Sequence, residues 1–441
     1  MSDIIVLRQG LDIPVSGAPD RLVSKSMTPG TVAVEPFVKG LLPRLLVKEG
    51  DRVLCGSPVI ADKSNPDILI TAPASGTVQE IVRGEKRKLL AVLIKTDDKQ
   101  EYASFDTTDV RKALLASGLW TYIVQRPYGV MAHPSVTPRG IFISAFNTSP
   151  LAADTEFTLG GEISMLQKGI DALASIAPVH LSLDGSKPDS PFARLKGCTI
   201  HRFKGKHPAG NVGIQISHIC PIRKGEDVWT VSMPALAAIG RLFATGKLQL
   251  RRKIAVGGPA AIEPSYIEAL PGTPMKELIA FWGGGAENVR IISGSILSGR
   301  AVGAEGYIGR DDDQVTIISE GYDKELLGWI NPLRFNQFSS DRSYFSWLLP
   351  GNKWDMDTNL HGGPRPFLMN ENYYKKVLPM DIYPVFLAKA CLAGDIEKME
   401  KFGIYEVLPE DLALCEFVDP SKNCIQDMIS CGIDLMLKEM A

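Results

Sequence analysis

Short segments rich in apolar residues, separated by polar stretches and glycine turns, fill residues 31–97. Residues 77–82 and 89–94 are two such segments, and Gly84 lies between them. Short apolar runs bounded by turn residues are typical of β-strands. A turn roughly every ten residues is typical of a small barrel or sandwich, so we predict an all-β domain. The glycines and prolines of residues 1–30 predict an extended lead-in before it.

Residues 104–250 combine helical and strand patterns. Apolar residues recur every three or four positions in 163–177, and a second helical pattern covers 231–245. The run 141–146 is β-branched and aromatic and is bounded by a glycine and an asparagine, so we predict a short buried strand. An α/β domain commonly binds its ligand beside a strand of this kind. We therefore predict a Rossmann-like α/β domain organised around this strand.

The remaining chain divides into three parts. Residues 251–325 show the order strand, turn, helix and strand, which resembles a β-grasp domain of the SLBB type. Residues 326–378 are rich in aromatic residues, asparagine and proline, so we predict a long irregular insertion. Residues 379–441 show helical patterns and predict a helical C-terminal tail. With an N-terminal unit over 1–103, these patterns predict a multidomain α+β fold.

The composition is that of an ordinary globular protein, because 45% of the 441 residues are hydrophobic and 22% are charged. The 48 basic and 50 acidic residues give a net charge of -2, which argues against nucleic acid as a partner. No apolar run approaches the ~18 residues of a membrane span. The N-terminus lacks the pattern of a signal peptide, and the seven cysteines include no C-x-x-C pair. We therefore expect a chain with reduced thiols that is cytosolic or lies on the cytosolic side of a larger structure.

Few motifs of cofactor chemistry are present. No G-x-G-x-x-G follows a predicted strand, and no Walker loop occurs. Gly257, Gly258 and Pro259 follow a strand, but the proline removes a donor that a phosphate would use. His201 and His207, with their histidine and cysteine neighbours downstream, lack the spacing of a zinc site. The sequence therefore names no catalytic residue, no cofactor-binding residue and no metal ligand.

The N-terminal segments VKEGDRVLCGSPVIADK and ITAPASGTVQEIV resemble biotinyl and lipoyl carrier domains, which have the barrel-sandwich hybrid fold. Such carriers present a lysine at a hairpin tip, nearer to the following proline than Lys63 is to Pro73. The residues that flank the lysine of the carrier motif are also missing. We expect an unmodified structural barrel, with a swinging-arm carrier as the alternative.

The whole chain resembles the A subunits of Na+-translocating NADH:quinone reductases (the Nqr complex). Besides the barrel segments, the matching residues are 10–14, 141–154, 206–219, 228–230 and 412–422. More distantly, the chain looks like the C subunits of Rnf electron-transport complexes and the flavin-carrying subunit of respiratory complex I.

Two departures from the flavin-carrying relatives indicate that redox centres have been lost. Those relatives have a glycine-rich loop before the central strand, whereas Gly129 is the only glycine in 126–135. Relatives also bind an iron–sulfur cluster through C-x2-C-x2-C-x3-C-P. With that proline aligned on Pro420, Cys415 is the only cysteine at the four ligand positions. The α/β domain is therefore predicted to be degenerate, and the helical tail to be a relic of an iron–sulfur domain.

The resemblance implies that the whole complex transfers electrons from NADH to a quinone and couples this transfer to Na+ export. FAD, FMN, riboflavin and an iron–sulfur centre would lie on other subunits, with no cofactor on this chain. The chain is expected to be a peripheral subunit on the cytoplasmic side of the bacterial inner membrane, attached chiefly through a membrane-embedded partner. It would support assembly and the quinone-reduction end, and would be inactive alone. The alternatives are a stand-alone flavin- or nicotinamide-dependent oxidoreductase and a carrier-domain protein.

We also predict that the emptied cofactor region faces a quinone. A quinone head is a flat ring with two carbonyl acceptors, which needs apolar walls and one or two hydrogen-bond donors. Tyr128, Val130 and Met131 would supply walls, His133 would supply a donor, and Phe37 would supply a second wall. The alternative is that these residues only pack the loop against its own domain.

Overall fold

The N-terminal part of the chain is built from strands. The computed structural model describes residues 4–282, 288–323, 325–328, 331–361 and 369–440. Its first strands are β1 (Ile4–Val6), β2 (Val23–Ser26), β3 (Thr31–Val34), β4 (Pro43–Leu45), β5 (Arg52–Val53), β6 (Pro58–Asp62), β7 (Leu69–Thr71), β8 (Gly76–Arg83) and β9 (Leu89–Thr96). The order β3-β9-β8-β5 forms one antiparallel sheet, and β4-β6-β7 forms a second. Val32, Ile60 and Val92 are fully buried in their shared core, so the predicted all-β domain is confirmed.

An α/β domain follows the barrel. Its elements are α1 (Val110–Ala116), β10 (Val124–Arg126), β11 (Val130–Met131), β12 (Ile141–Ser144), α2 (Thr155–Leu159), α3 (Ile163–Ala174), β13 (Val179–Asp184), β14 (Thr199–Lys204), α4 (Val212–Ile219), β15 (Val228–Thr230) and α5 (Met233–Thr245). The sheet order is β1-β14-β13-β12-β15-β10-β11. Five neighbouring strands of this sheet are parallel, namely β1, β14, β13, β12 and β15. Strands β10 and β11 extend the sheet beyond β15 with antiparallel pairing. The predicted strand β12 is therefore confirmed as a central, buried strand.

Helices α3 and α5 pack closely on one face of this sheet. Ser232 caps α5 by accepting a hydrogen bond from the Ala235 N–H, and Gly246 ends the helix in a left-handed conformation. Helix α3 ends at Ala174 rather than at the predicted residue 177, because Ser175 takes the C-cap position. Trp120 and Trp229 meet edge to face in the core, with ring centroids 5.4 Å apart.

The third domain has a mixed sheet and one helix. Its elements are β16 (Arg252–Gly257), β17 (Ser265–Ala269), α6 (Met275–Trp282), β18 (Val289–Ser293), β19 (Arg300–Ala301) and β20 (Gln314–Ser319). The sheet order is β19-β18-β20-β16-β17-β2. The predicted strand–helix–strand order is present, and the β-grasp assignment stays a prediction. The glycine break predicted at 283–285 lies outside the described residues.

The lead-in joins three parts of the molecule. Strand β1 pairs with β14 of the α/β domain, and β2 pairs with β17 of the third domain. Between them, Val15 forms a bridge with Trp354 of the insertion. Gly17 has a φ of 75°, and its carbonyl accepts a hydrogen bond of 2.8 Å from the Gly258 N–H. A Cβ on Gly17 would collide with the Gly258 carbonyl, so this crossing of two backbones requires glycine.

The C-terminal tail is helical and packs on the α/β domain. The insertion and tail contain α7 (Glu371–Lys375), α8 (Pro384–Ala393), α9 (Ile396–Phe402), α10 (Ala413–Val418) and α11 (Ile425–Met440). Leu408 and Ile425 of the tail share a buried cluster with Tyr128, Phe203 and Ile214. In the part of the chain that the structure describes, no helix has both the length and the apolar character needed to cross a bilayer.

Candidate functional site

The segment aligned with the flavin loop of relatives, residues 126–135, begins as a β-hairpin. Val124 pairs with Met131 and Gln125 with Val130, so the turn is confined to residues 127–129. Residues 126–135 are therefore not one continuous loop, because β11 (Val130–Met131) lies within them. Single-sequence patterns missed β11, because a strand of two residues has too few positions to show alternation.

A buried ion pair fixes the hairpin to the tail. The Arg126 side chain is 2% exposed, and its Nη1 and Nη2 atoms lie 2.8 Å from Asp411 Oδ2 and Glu410 Oε1. Gly213, at the start of α4, lies against this pair, and a Cβ there would collide with both Asp411 and Arg126. Gly129 packs against the Leu408 side chain in the same way. The two glycines thus allow the tail to approach closely. Side chains of the tail fill the space in which a phosphate would contact the hairpin.

Tyr128 also faces the tail. It is 8% exposed, and its ring meets that of Tyr405 edge to face at 6.1 Å. The Tyr405 hydroxyl donates a hydrogen bond of 2.6 Å to Glu400. Burial raises the pKa of both phenols above their ordinary value. Tyr128 is therefore a packing residue between two domains as well as a predicted quinone wall.

The other predicted quinone-facing residues lie in different surroundings. Met131 packs against both the barrel core and the α/β core. Its backbone N–H donates a hydrogen bond of 2.9 Å to the Lys39 carbonyl. That bond places β11 beside the segment that carries Phe37, whose ring is 45% exposed and has Arg300 above it at 5.8 Å. His133 is exposed, and its Nδ1 lies 2.8 Å from Ser135 Oγ. The hairpin therefore brings Met131 towards the Phe37 segment, whereas Tyr128 turns to the tail.

The carboxyl ends of β12 and β13 line a polar cavity of about 220 Å³. Its walls include Asp154, Glu156 and Asp184, and Lys187 lies 3.6 Å from Glu156. Asp154 also pairs with Arg21 of the lead-in. Carboxylates at this position would repel the phosphates of a nucleotide, so the cavity does not have the chemistry of a dinucleotide site.

The segment aligned with the cluster motif of relatives is packed with protein groups. Cys415 is fully buried, and burial raises the pKa of its thiol. Asp419, at the position of a cluster cysteine, is fully buried and accepts hydrogen bonds of 2.8 and 2.6 Å from the backbone and side chain of Asn423. Across the described residues, no group of three or more His, Cys, Asp or Glu side chains could hold a metal ion.

Sequence reasoning missed the residues that close the hairpin, namely Arg126, Glu410 and Asp411. Their charges look like ordinary surface charges, and no local pattern links positions almost three hundred residues apart. Lys63 would be the modified lysine under the alternative of a swinging-arm carrier. It lies just after β6, and its backbone N–H donates a hydrogen bond of 2.8 Å to the Leu42 carbonyl. This places it in the hairpin between β6 and β7.

A barrel of two small sheets, followed by a parallel α/β domain and a mixed third domain, defines a class of multidomain α+β protein. Models of one family match all three parts. They are described as the NqrA N-terminal barrel-sandwich hybrid domain over residues 5–97, the NqrA second alpha/beta domain over 105–248 and the NQRA C-terminal domain over 253–304.

Curated relatives extend the match over the whole chain. The A subunit of the Na(+)-translocating NADH-quinone reductase of Actinobacillus pleuropneumoniae serotype 5b (strain L20) is 37% identical over 99% of this chain and 100% of its own. The protein of the same name from Serratia proteamaculans (strain 568) is 37% identical over 95% of this chain and 96% of its own. The chain belongs to the family of Na(+)-translocating NADH-quinone reductase A subunits.

Solved structures add little. The NAD+-reducing [NiFe]-hydrogenase in its air-oxidized state aligns over 42% of this chain and 41% of its own, with 12% identity and a TM-score of 0.32.

Proposed function

We propose that this chain is the peripheral A subunit of a complex that transfers electrons from NADH to quinone and exports Na+. The carrying observation is the 37% identity to A subunits over 99% of the chain, which includes the insertion and the tail. In this proposal the chain lies on the cytoplasmic side of the bacterial inner membrane. A membrane-embedded subunit holds it there.

The proposed role is structural support of assembly and of the quinone-reduction end, with no redox centre on this chain. Two packing features support it. The Arg126 ion pairs and Leu408 fill the space beside the hairpin, and Asp419 bonds to Asn423 at a former ligand position. FAD, FMN, riboflavin and the iron–sulfur centre then belong to other subunits, and the isolated chain has no reductase activity.

The composition of native complexes tests the proposal. A tagged chain, purified from membranes in mild detergent, is expected to bring down the other subunits of the reductase. In cells that lack the membrane-embedded subunits, the chain is expected in the supernatant after ultracentrifugation. A chain that stays with the membranes in those cells would contradict attachment through a partner.

A quinone-facing surface formed by Phe37, Tyr128, Met131 and His133 is the finer part of the proposal. It is supported by the exposed ring of Phe37, by the exposed imidazole of His133, and by the bond between Met131 and Lys39. Tyr128 is tested with Tyr128→Phe, because the ring itself packs the tail.

We expect Phe37→Ala and His133→Ala to raise the apparent KM for quinone severalfold, since each removes a contact made by bound substrate. NADH oxidation by an artificial acceptor should stay unchanged. Tyr102→Ala is the matched control, because Tyr102 is a barrel aromatic that is 40% exposed, close to the 45% of Phe37. Unchanged quinone kinetics in both variants, with the complex intact, would remove this surface from the quinone site.

A further inference from the structure

The insertion presents a continuous apolar surface to solvent. It consists of side chains that are 40–68% exposed, and we call it the apolar face: Leu333, Phe335, Phe345, Trp347, Leu348 and Leu349. The Phe345 backbone N–H donates a hydrogen bond of 2.9 Å to the Pro332 carbonyl, and the ring centroids of Phe335 and Phe345 lie 6.2 Å apart. These contacts join the two stretches of chain into one surface. Phe345, Trp347 and Leu348 lie on the 3-10 helix Phe345–Leu348, and Leu349 follows it directly.

The exposure is not a failure of the insertion to pack, because other parts of it contact the lead-in and the tail. The ring of Phe338 lies 6.4 Å from the ring of Phe417 in the tail, and the Trp354 backbone N–H donates a hydrogen bond of 2.7 Å to the Pro14 carbonyl. Arg334 is buried, forms an ion pair with Glu325, and donates 2.8 Å to Gln337. The segment is thus anchored on one side and apolar on the other.

The size of the apolar face fits a protein interface. Six large side chains that are about half exposed offer on the order of 500–600 Å², given that an aromatic side chain buries 150–250 Å². This is most of the roughly 800 Å² that one partner contributes to a standard interface. Apolar patches of this size on soluble proteins commonly mark interaction sites.

The charged residues at the edge of the apolar face indicate the chemistry of its partner. The Arg342 guanidinium stacks over Trp347 at 5.0 Å, and Lys353 is exposed nearby in the chain. Within the ranges that the structure describes, neither cation forms an ion pair. Asp341 and Asp355 are exposed on the same segment. An anionic lipid surface would repel these carboxylates, whereas a protein surface can match both signs.

We propose that the apolar face is the docking surface for a membrane-embedded protein subunit of the complex. That subunit would offer an apolar centre and at least one carboxylate opposite Arg342. The inference rests on the proposed function and deepens it, because it names the surface through which the chain is held.

The test compares tagged chains expressed with the complete complex. We expect Trp347→Ser combined with Leu348→Ser to reduce recovery of the membrane subunits at least tenfold, and Arg342→Glu to reduce it as well. Leu22→Ser combined with Leu42→Ser is the control, because Leu22 and Leu42 are 64% and 58% exposed and lie outside the apolar face. Equal melting temperatures of the isolated variants would show that folding is unchanged.

The outcomes separate the two proposals. If the wild-type chain recovers no membrane subunit, the proposed function fails, and the inference fails with it. If the wild type and all variants recover them equally, the inference alone is overturned. It is also overturned if Trp347→Ser with Leu348→Ser abolishes a dimer of the purified wild type, or its binding to protein-free vesicles with one-third anionic lipid.

Discussion

His207 is buried where the lead-in crosses the α/β domain. Its Nδ1 lies 3.1 Å from Thr148 Oγ1, and its backbone N–H donates 2.9 Å to Asp12. Burial lowers the pKa of its imidazole to about 4. The folded state therefore holds this histidine neutral at pH values at which an unfolded chain would protonate it.

From this we predict an acid-sensitive contribution to stability. Between the unfolded pKa of about 6.5 and the folded pKa of about 4, the unfolded state binds more protons, so stability falls as pH falls. The loss should reach about 2–3 kcal/mol near pH 4.5. Urea unfolding at pH 7 and pH 4.5 measures it, and His207→Gln should show a smaller difference between the two. An equal difference in both proteins would contradict the prediction.

Single residues also show where sequence analysis stops. Gly129 could be identified as the only glycine of its loop, and Cys415 as the only cysteine left in the cluster motif. The partners of Arg126 could not be identified, because a buried ion pair and two surface charges look the same in a sequence. The predicted quinone wall Tyr128 could be named, but its contact with Tyr405 depends on how the tail docks.

At the scale of elements, close packing of α3 and α5 depends on two glycines. A Cβ on Gly240 would collide with the Met165 carbonyl, and one on Gly169 would lie 2.5 Å from the Leu236 carbonyl. The backbones of the two helices therefore approach more closely than any larger residue allows. The close approach explains why glycine, a poor helix former, occurs within both helices.

We predict that Gly240→Ala destabilises the protein by about 1–3 kcal/mol, because overpacking outweighs the gain in helix propensity. Gly161→Ala is the control, since a Cβ there would meet nothing within 4 Å. Thermal unfolding followed by circular dichroism measures both. A Gly240→Ala protein as stable as the control would show that the helices can separate without cost.

Elements with strong local signals were predictable, and those defined by distant pairing were not. Helix α5 has Pro234 in its first turn and Gly246 after its end, so its bounds were nearly correct. Strands β1 and β2 are three and four residues long, and each pairs with a strand about two hundred residues away or more. No periodicity within the lead-in announces such pairing, so it was predicted only as extended.

For the whole molecule we predict that the purified chain is colourless. The hairpin and the tail are in direct contact, because Arg126 of the hairpin forms a buried ion pair with Asp411 of the tail. Cys415 is the one cysteine at the ligand positions of the aligned cluster motif. An absorbance spectrum should lack a flavin band, and iron analysis should find far less than one cluster per chain. Incubation with FMN before gel filtration is the control for loss during purification. A flavin band of stoichiometric intensity would contradict the prediction.

The route of the lead-in through three parts of the molecule bears on how the chain is made. Its strands leave the ribosome before the strands they pair with, because β1 needs β14 and β2 needs β17. At about 5–20 residues per second, roughly 10–50 seconds pass before those partners emerge. The barrel, whose strands all lie within 31–96, has its partners at once. The order of synthesis thus leaves β1 and β2 unpaired until the α/β domain and the third domain have been made.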